Sequence, residues 1–292
     1  MSHTHPHAHG TSGRFTVALI VTIGLVVLKA IGAWAGHSLA LGADAAHSLG
    51  DVGALGLAWY ADRQQRRPPT PALTFGWGRV EILAGLVNAL VLWGLAGAMA
   101  WRAVGQWTHP AIANPGIMAG ASALALIING VLAWLFRDPT DLNQRSTAWH
   151  LLTDAAGSLS VLVGAGILAV TGWEPINAVV TWGIAALMFW GPWSIIRDTL
   201  RILLEATPPA VPLGEITAHM ESVPGVTKVH DLHVWAVGSQ QWALASHVTL
   251  TADAPPAQDV LCHLHDVLSA QGINHCTIQI ETAAEAHPHP PW

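Results

Sequence analysis

Two octets of this sequence carry residue types that can do chemistry at a fixed spacing. Residues 44–51 read DAAHSLGD and residues 147–154 read TAWHLLTD. Each sets a histidine four positions before an aspartate, His47 with Asp51 and His150 with Asp154. On a helix, residues at i and i+4 share one face. Both octets lie in apolar stretches, where an ionisable group is expensive unless it faces a protein interior or a cavity. Brought together, the two faces offer two imidazole nitrogens and two carboxylate oxygens. That is a four-ligand set for a tetrahedral divalent cation such as Zn²⁺. Gly42, Ala43, Ala45, Ala46, Ser48, Gly50 and Gly53 surround the first pair, and Ala155, Ala156, Gly157 and Ser158 follow the second. Small residues of this kind let membrane helices approach closely. The bland alternative is two unrelated pairs, each neutralising itself within one helix, and it requires the same spacing to arise twice. Asp44 lies near the face of His47. It is either an acceptor that orients an imidazole or the partner of another helix.

The elements that hold these residues are apolar blocks. The chain of 292 residues is 52% hydrophobic and only 10% charged, against about 25% charged in an ordinary soluble domain. Spans are expected over 15–35, 39–61, 79–104, 115–136, 146–170 and 175–197, each near the ~20 residues that cross a hydrocarbon core. Asn88 and Asn129 within them either join helices by hydrogen bonds or line a cation path, and the first role is favoured. The opening MSHTHPHAHG lacks the basic region, short apolar core and cleavage site of a signal peptide. Its histidines at 3, 5, 7 and 9 form a metal-capturing tract or a tag remnant.

Basic residues set the expected orientation. Arg14 precedes span one; Arg63, Arg66, Arg67 and Arg79 flank the connection between spans two and three. Arg137 and Arg145 flank that between four and five, and Arg197 and Arg201 follow span six. The connections at 36–38 and 171–174 carry no Lys or Arg. The positive-inside rule then places both termini in the cytoplasm. Lys29, inside span one, snorkels or faces the bundle interior and is given no role.

After about residue 205 the texture changes to charged residues, prolines and short alternating runs. GEITAHMESV reads as a helix, KVHDLHVWAVG and WALASHVTLT as strands, AQDVLCHLHDVLSAQG as a helix and CTIQIET as a strand. Cys262 and Cys276 fall here, outside any CxxC pattern, so a disulfide in a cytoplasmic tail is not expected. The net charge of −6 gives no reason to expect nucleic acid.

With these features in view, the chain resembles the cation diffusion facilitator family of divalent-metal transporters, and within it the zinc-transporting branch. The paired HxxxD motifs carry the resemblance, with SLALGADAAHSLGDVGAL, FGWGRVEILAGLVNAL, LNQRSTAWHLLTDAAGSL, LLEATPP and VPGVTKVHDLHVWAVGS. It spans nearly the whole chain. It implies a membrane α-helical protein, a six-helix transmembrane bundle followed by a small cytoplasmic α/β ferredoxin-like domain, and a homodimer. The expected parts are a His-rich N-terminus (1–14), the transmembrane domain (15–205), a metal-sensing and dimerisation domain (206–284) and a His/Pro-rich end (285–292). The transport site carried over is His47, Asp51, His150 and Asp154. A histidine at position 47, where some relatives have aspartate, favours Zn²⁺, with Cd²⁺, Co²⁺ or Ni²⁺ as alternatives. In the tail, His230, His247 and Glu281 match positions for regulatory zinc, while His263 and His265 are candidates for a second site. His233 and His275 are further potential ligands. The connections DRQQRRPPTPALTFGW and FRDPTDLNQRS hold no histidine, so the loop zinc sites of some relatives are not expected. A bacterial inner membrane is the location implied, with lipid as the surrounding partner.

Ligation needs neutral imidazole and ionised carboxylate. Since an unperturbed imidazole titrates near ~6.5, metal arrival expels protons and proton arrival weakens the site. Efflux in exchange for protons follows as the expected mechanism, and the resemblance implies the same. No Walker A pattern is present, so ATP hydrolysis is not expected. An intramembrane metallopeptidase would call for HExxH, which is missing. A membrane sensor that binds metal without moving it fits the same residues and is separated from a carrier only by flux.

Overall fold

The computed structural model describes the backbone over residues 11–135, 142–238 and 241–282, and side chains over 19–134, 151–238 and 241–282. The His-rich N-terminal tract, the connection at 136–141 and the final HPHPPW lie outside the described residues, as does the side chain of His150.

Among the described residues, seven helices come first: α1 (Thr11–Ala35), α2 (Leu39–Gln65), α3 (Arg79–Thr108), α4 (Pro115–Leu135), α5 (Leu142–Thr171), α6 (Ile176–Trp190) and α7 (Trp193–Leu203). They begin and end close to the expected spans. The sixth expected span is two helices, because Gly191 and Pro192 interrupt it, and proline removes a backbone donor and clashes with the preceding turn.

Among the described residues, four stretches are long and apolar enough to cross a membrane: Arg79–Thr108, Pro115–Trp134, Leu151–Thr171 and Ile176–Leu203. The expected six are therefore not all evident on these criteria. The described apolar part of α1, Leu19–Ala35, is shorter. Helix α2 is 27 residues long, but Asp44, His47, Asp51, Asp62 and Arg63 dilute its apolar character.

The chain divides into two compact units, one of residues 1–56 and 87–193, the other of residues 57–86 and 194–292. In the first, Ala40, Leu41 and Ala43 of α2 meet Leu92 and Ala96 of α3, Met118 of α4, Val161 and Ala165 of α5, and Ile184 and Met188 of α6 in one core. Alanine-lined seams bring the helices close, as expected where packing rather than water drives association. Large apolar side chains cover the outside: Trp34, Trp101, Val170 and Trp190 are at least 78% exposed, a surface suited to lipid rather than water.

Helix starts in this unit are tied to neighbouring elements. Ser38 Oγ accepts from Leu41 N at 3.1 Å. Asn177 Oδ1 of α6 accepts from Ala40 N at 2.9 Å and from Ser38 Oγ at 3.1 Å. Two orphan groups at the start of α2 are thus satisfied, one from another helix. Asn114 Oδ1 caps α4 through Gly116 N and Ile117 N.

The second unit holds α8 (Leu213–Glu221), β1 (Val226–Gly238), β2 (Gln241–Leu250), α9 (Ala257–Ala270) and β3 (His275–Thr282), in the element order read from the sequence. Among the described residues the sheet has three strands, in the order β1-β2-β3. β1 and β2 are antiparallel, and β2 and β3 are parallel. Among the described residues these elements form an α-β-β-α-β unit with a small sheet; the opening strand of a β-α-β-β-α-β unit is not among them. Ile216 and Met220 of α8 and Val260, Leu264 and Leu268 of α9 pack with Val229, Val234, Leu244 and Val248. Strand side chains alternate between faces. His230 pairs with His247, and Thr249 pairs with Glu281. These residues therefore share the face away from the helices. Gly225 makes the turn into β1 at φ +91, and a Cβ there would lie 2.7 Å from Pro255 Cδ.

Candidate metal centres

The first cluster lies between α2 and α5. His47 and Asp51 stand one turn apart on α2, with His47 Nε2 3.9 Å from Asp51 Oδ2. The same nitrogen is 3.9 Å from Asp154 Oδ1 across the helix seam. One ligand atom from each of the three residues can be chosen so that all lie within 4.8 Å of one another. The side chain of Asp154 is 2% exposed, while those of His47 and Asp51 are 20% and 17% exposed. The pocket is therefore deep on the α5 side and partly open on the α2 side. His150 lies on α5 one turn before Asp154, and its side chain is outside the described residues. A divalent cation with nitrogen and oxygen ligands satisfies His47, Asp51 and Asp154.

One turn along the seam, Lys29 and Asp44 meet in a pairing that sequence spacing does not show. Lys29 Nζ is 3.0 Å from Asp44 Oδ2 and donates to Ser48 Oγ at 3.0 Å. Ser158 Oγ of α5 donates to the same Asp44 oxygen at 3.1 Å. Lys29 and Asp44 are both fully buried. Lys29 thus does not snorkel, and Asp44 takes the second of its two expected roles, pairing with another helix. His47 Nδ1 has no hydrogen-bond partner among the described residues, so Asp44 does not orient that ring. The sequence signal was a lysine in the middle of an apolar span; its partner was legible only in three dimensions. Asn129 is buried, and neither of its amide atoms has a hydrogen-bond partner among the described residues. The helix-joining role favoured for it is not seen. Asn88 approaches α2: its Oδ1 lies 3.8 Å from where a Cβ on Gly53 would be.

The second cluster is on the sheet. His247 Nδ1 is 2.6 Å from Glu281 Oε1, and His230 Nε2 is 3.1 Å from Glu281 Oε2. One ligand atom each from His230, His247 and Glu281 fits within 4.8 Å. Burial raises the Glu281 pKa, but the hydrogen bond and charge of His247, with those of His230, outweigh it and leave the carboxyl below its ordinary value. The donor set of two imidazoles and a carboxylate fits zinc. Asp231 was absent from the sequence reading. It sits at φ +51 in an irregular part of β1. Its Oδ1 meets His233 Nε2 at 3.1 Å and its Oδ2 lies 3.8 Å from His247 Nε2. Register irregularities cannot be read from strand alternation, which explains the omission. His263 and His265 are exposed on α9, and His265 Nδ1 bonds back to Leu261 O at 2.8 Å. Neither joins a metal-like cluster among the described residues. His275 instead meets Phe75 edge-on, with ring centroids 5.2 Å apart.

Residues 15–204 match the family described as the cation efflux transmembrane domain. The chain belongs to the cation efflux family. Residues 208–283 match the family's companion description, the cation efflux protein cytoplasmic domain. The zinc transporter ZitB of Escherichia coli is 32% identical over 290 residues, covering 96% of this chain and 92% of that protein. The metal cation efflux system protein CzcD of Cupriavidus metallidurans is 33% identical over 284 residues, covering 96% and 90%. A cadmium, cobalt and zinc/H⁺-K⁺ antiporter of Bacillus subtilis is 29% identical over 296 residues, covering 98% and 93%. Among solved structures, the metal-bound C-terminal domain of the CzcD transporter is 38% identical, covering 24% of this chain and 99% of that one, with a TM-score of 0.23. As a cation efflux protein with apolar helices, the chain is an integral membrane transporter and not an enzyme.

Proposed function

We propose that this cation efflux protein exports Zn²⁺ from the cytoplasm in exchange for protons, through a four-ligand site of His47, Asp51, His150 and Asp154. The observation that carries the reading is the approach of His47 Nε2 to Asp154 Oδ1 at 3.9 Å across α2 and α5. It supports one cation held between two helices that can separate. Residue chemistry supplies the coupling: each imidazole must shed its proton and each carboxylate must be ionised to ligate. Metal binding from the cytoplasm therefore releases protons, and protonation from the far side ejects the metal. The names of the relatives support Zn²⁺, with Cd²⁺ and Co²⁺ as further cargo. Ni²⁺ remains the alternative drawn from ligand chemistry alone.

The same reading takes six membrane crossings by α1 to α5 and α6–α7, with both termini in the cytoplasm of a bacterial inner membrane. The boundaries are those expected from sequence, near residues 15, 205 and 284, and the tail is a small ferredoxin-like α/β domain, three strands of which lie among the described residues. Two copies pair through the cytoplasmic domain, in which His230, His247 and Glu281 hold regulatory zinc.

Zinc uptake into vesicles with an imposed proton gradient tests the proposal. The intact chain should move zinc and collapse the gradient, and Asp154→Ala should abolish both while leaving zinc binding to the tail. Tight tail binding without flux in the intact chain would make the protein a sensor instead.

A further inference from the structure

We propose that Lys29 is a specificity-determining positioning residue, which holds Asp44 out of the metal's reach and so keeps the transport site at four ligands and two carboxylates. The inference rests on the transport-site reading above. Asp44 precedes His47 by three positions on α2, so the two residues lie near one face. On α5, Ser158 follows Asp154 by four positions and lies on that residue's face. His47 approaches Asp154, and Asp44 accepts from Ser158. The order reverses between the helices, as antiparallel neighbours require, so Asp44 is the next rung of the same seam.

This third carboxylate is fully buried, and its charge is met by Lys29 Nζ at 3.0 Å. Its other oxygen, Oδ1, has no hydrogen-bond partner among the described residues. That oxygen lies 3.1 Å from where a Cβ on Gly157 would be. Space that a side chain would fill is thus left to a carboxylate oxygen with unused acceptor capacity. Without the ammonium, the nearest positive charge available to it would be the cargo one turn away.

A third carboxylate would change what the site prefers. Two carboxylates balance a divalent cation, whereas three leave the loaded site anionic and slow to release. An added oxygen ligand also favours cations that accept higher coordination, such as Mn²⁺, over tetrahedral Zn²⁺. A purely structural role for the pair, a strut between α1 and α2, makes no such demand, since replacing both partners of a buried ion pair with neutral groups is often tolerated.

The experiment uses the full chain with Lys29→Met, Lys29→Gln and the double variant Lys29→Met/Asp44→Asn. Two quantities are read: the ratio of zinc to manganese flux in vesicles, and the visible spectrum of bound Co²⁺, strong when four-coordinate and weak when five- or six-coordinate. Subtracting the spectrum of each variant carrying Asp154→Ala isolates the transport site from the tail cluster. The single variants should lose about tenfold in the flux ratio, the scale seen when groups behind metal ligands are removed, and should weaken the cobalt bands. The double variant, with no carboxylate to release, should restore both. A wild-type ratio and spectrum in whichever single variant folds would overturn the proposal, as would a double variant that fails to restore them. If neither single variant folds, an altered ratio in the charge-balanced double variant overturns it and a wild-type ratio supports it. Asp154→Ala separates the two levels: flux surviving that change removes the transport site itself, whereas flux lost there with unchanged Lys29 variants removes only this inference.

Discussion

A single carboxylate shows how residue chemistry in this protein can be tested through pH. Glu281 is buried, yet its pKa is lowered because His247 and His230 stabilise its charged form. A carboxyl whose folded pKa is depressed binds fewer protons folded than unfolded. Its contribution to stability is therefore present above the ordinary glutamate value and is lost as pH falls through the folded value. In the metal-free full chain, hydrogen-exchange protection of β2 and β3, corrected for intrinsic rates, should hold at neutral pH and decline in the acid range below the ordinary value. Glu281→Gln should reduce protection at neutral pH and flatten the acid dependence. Unchanged acid dependence in the glutamine variant would show that other carboxyls set it. The buried aspartates of the helices have different partners: Asp44 meets a lysine and Asp154 a histidine.

At the scale of elements, the position of α2 matters most because it carries two of the proposed ligands and Asp44. Its first turn is held by Asn177, whose amide oxygen accepts from Ala40 N and Ser38 Oγ. Asn177→Ala removes both bonds and should lower stability by about 1 kcal/mol or more, read as a lower midpoint of thermal unfolding in detergent. Zinc flux at low temperature should survive, because Asn177 lies at the helix start and not among the ligands. Loss of flux with an unchanged melting midpoint would instead place Asn177 in the transport cycle. The cytoplasmic elements are fixed by different means. The parallel pairing of β2 with β3 requires a crossover, which α9 supplies, and its buried Val260, Leu264 and Leu268 seal the sheet. His263 and His265 consequently lie on the outer surface of that helix layer, while His230, His247 and Glu281 occupy the opposite sheet face.

For the whole molecule, orientation in the membrane can be read with a native thiol. Cys262 is exposed on α9, whereas Cys276 is partly buried and burial raises its pKa. Since the thiolate is the nucleophile, Cys262 should react first. A membrane-impermeant maleimide should label it in inverted membrane vesicles and leave it untouched in intact spheroplasts, with Cys262→Ser abolishing the signal. Labelling from outside intact cells would reverse the proposed topology and, with it, the direction of metal export.

Much of this was set by sequence. The paired HxxxD octets, the apolar blocks and the helix-strand-strand-helix-strand order of the tail are local patterns, fixed by spacing and hydropathy. What local pattern does not encode is which polar groups meet across helices. Lys29, Asp44, Ser48 and Ser158 are separated by up to 129 positions and become neighbours only when α1, α2 and α5 pack. Asp231 turns toward His247 only because β1 leaves its regular register there. The break at Gly191–Pro192 was visible as residue types, but α7 as a separate two-faced helix was not. Sequence spacing determined which side chains share a face; packing determined which faces meet, because a buried charge takes as its partner whatever the tertiary fold brings within reach.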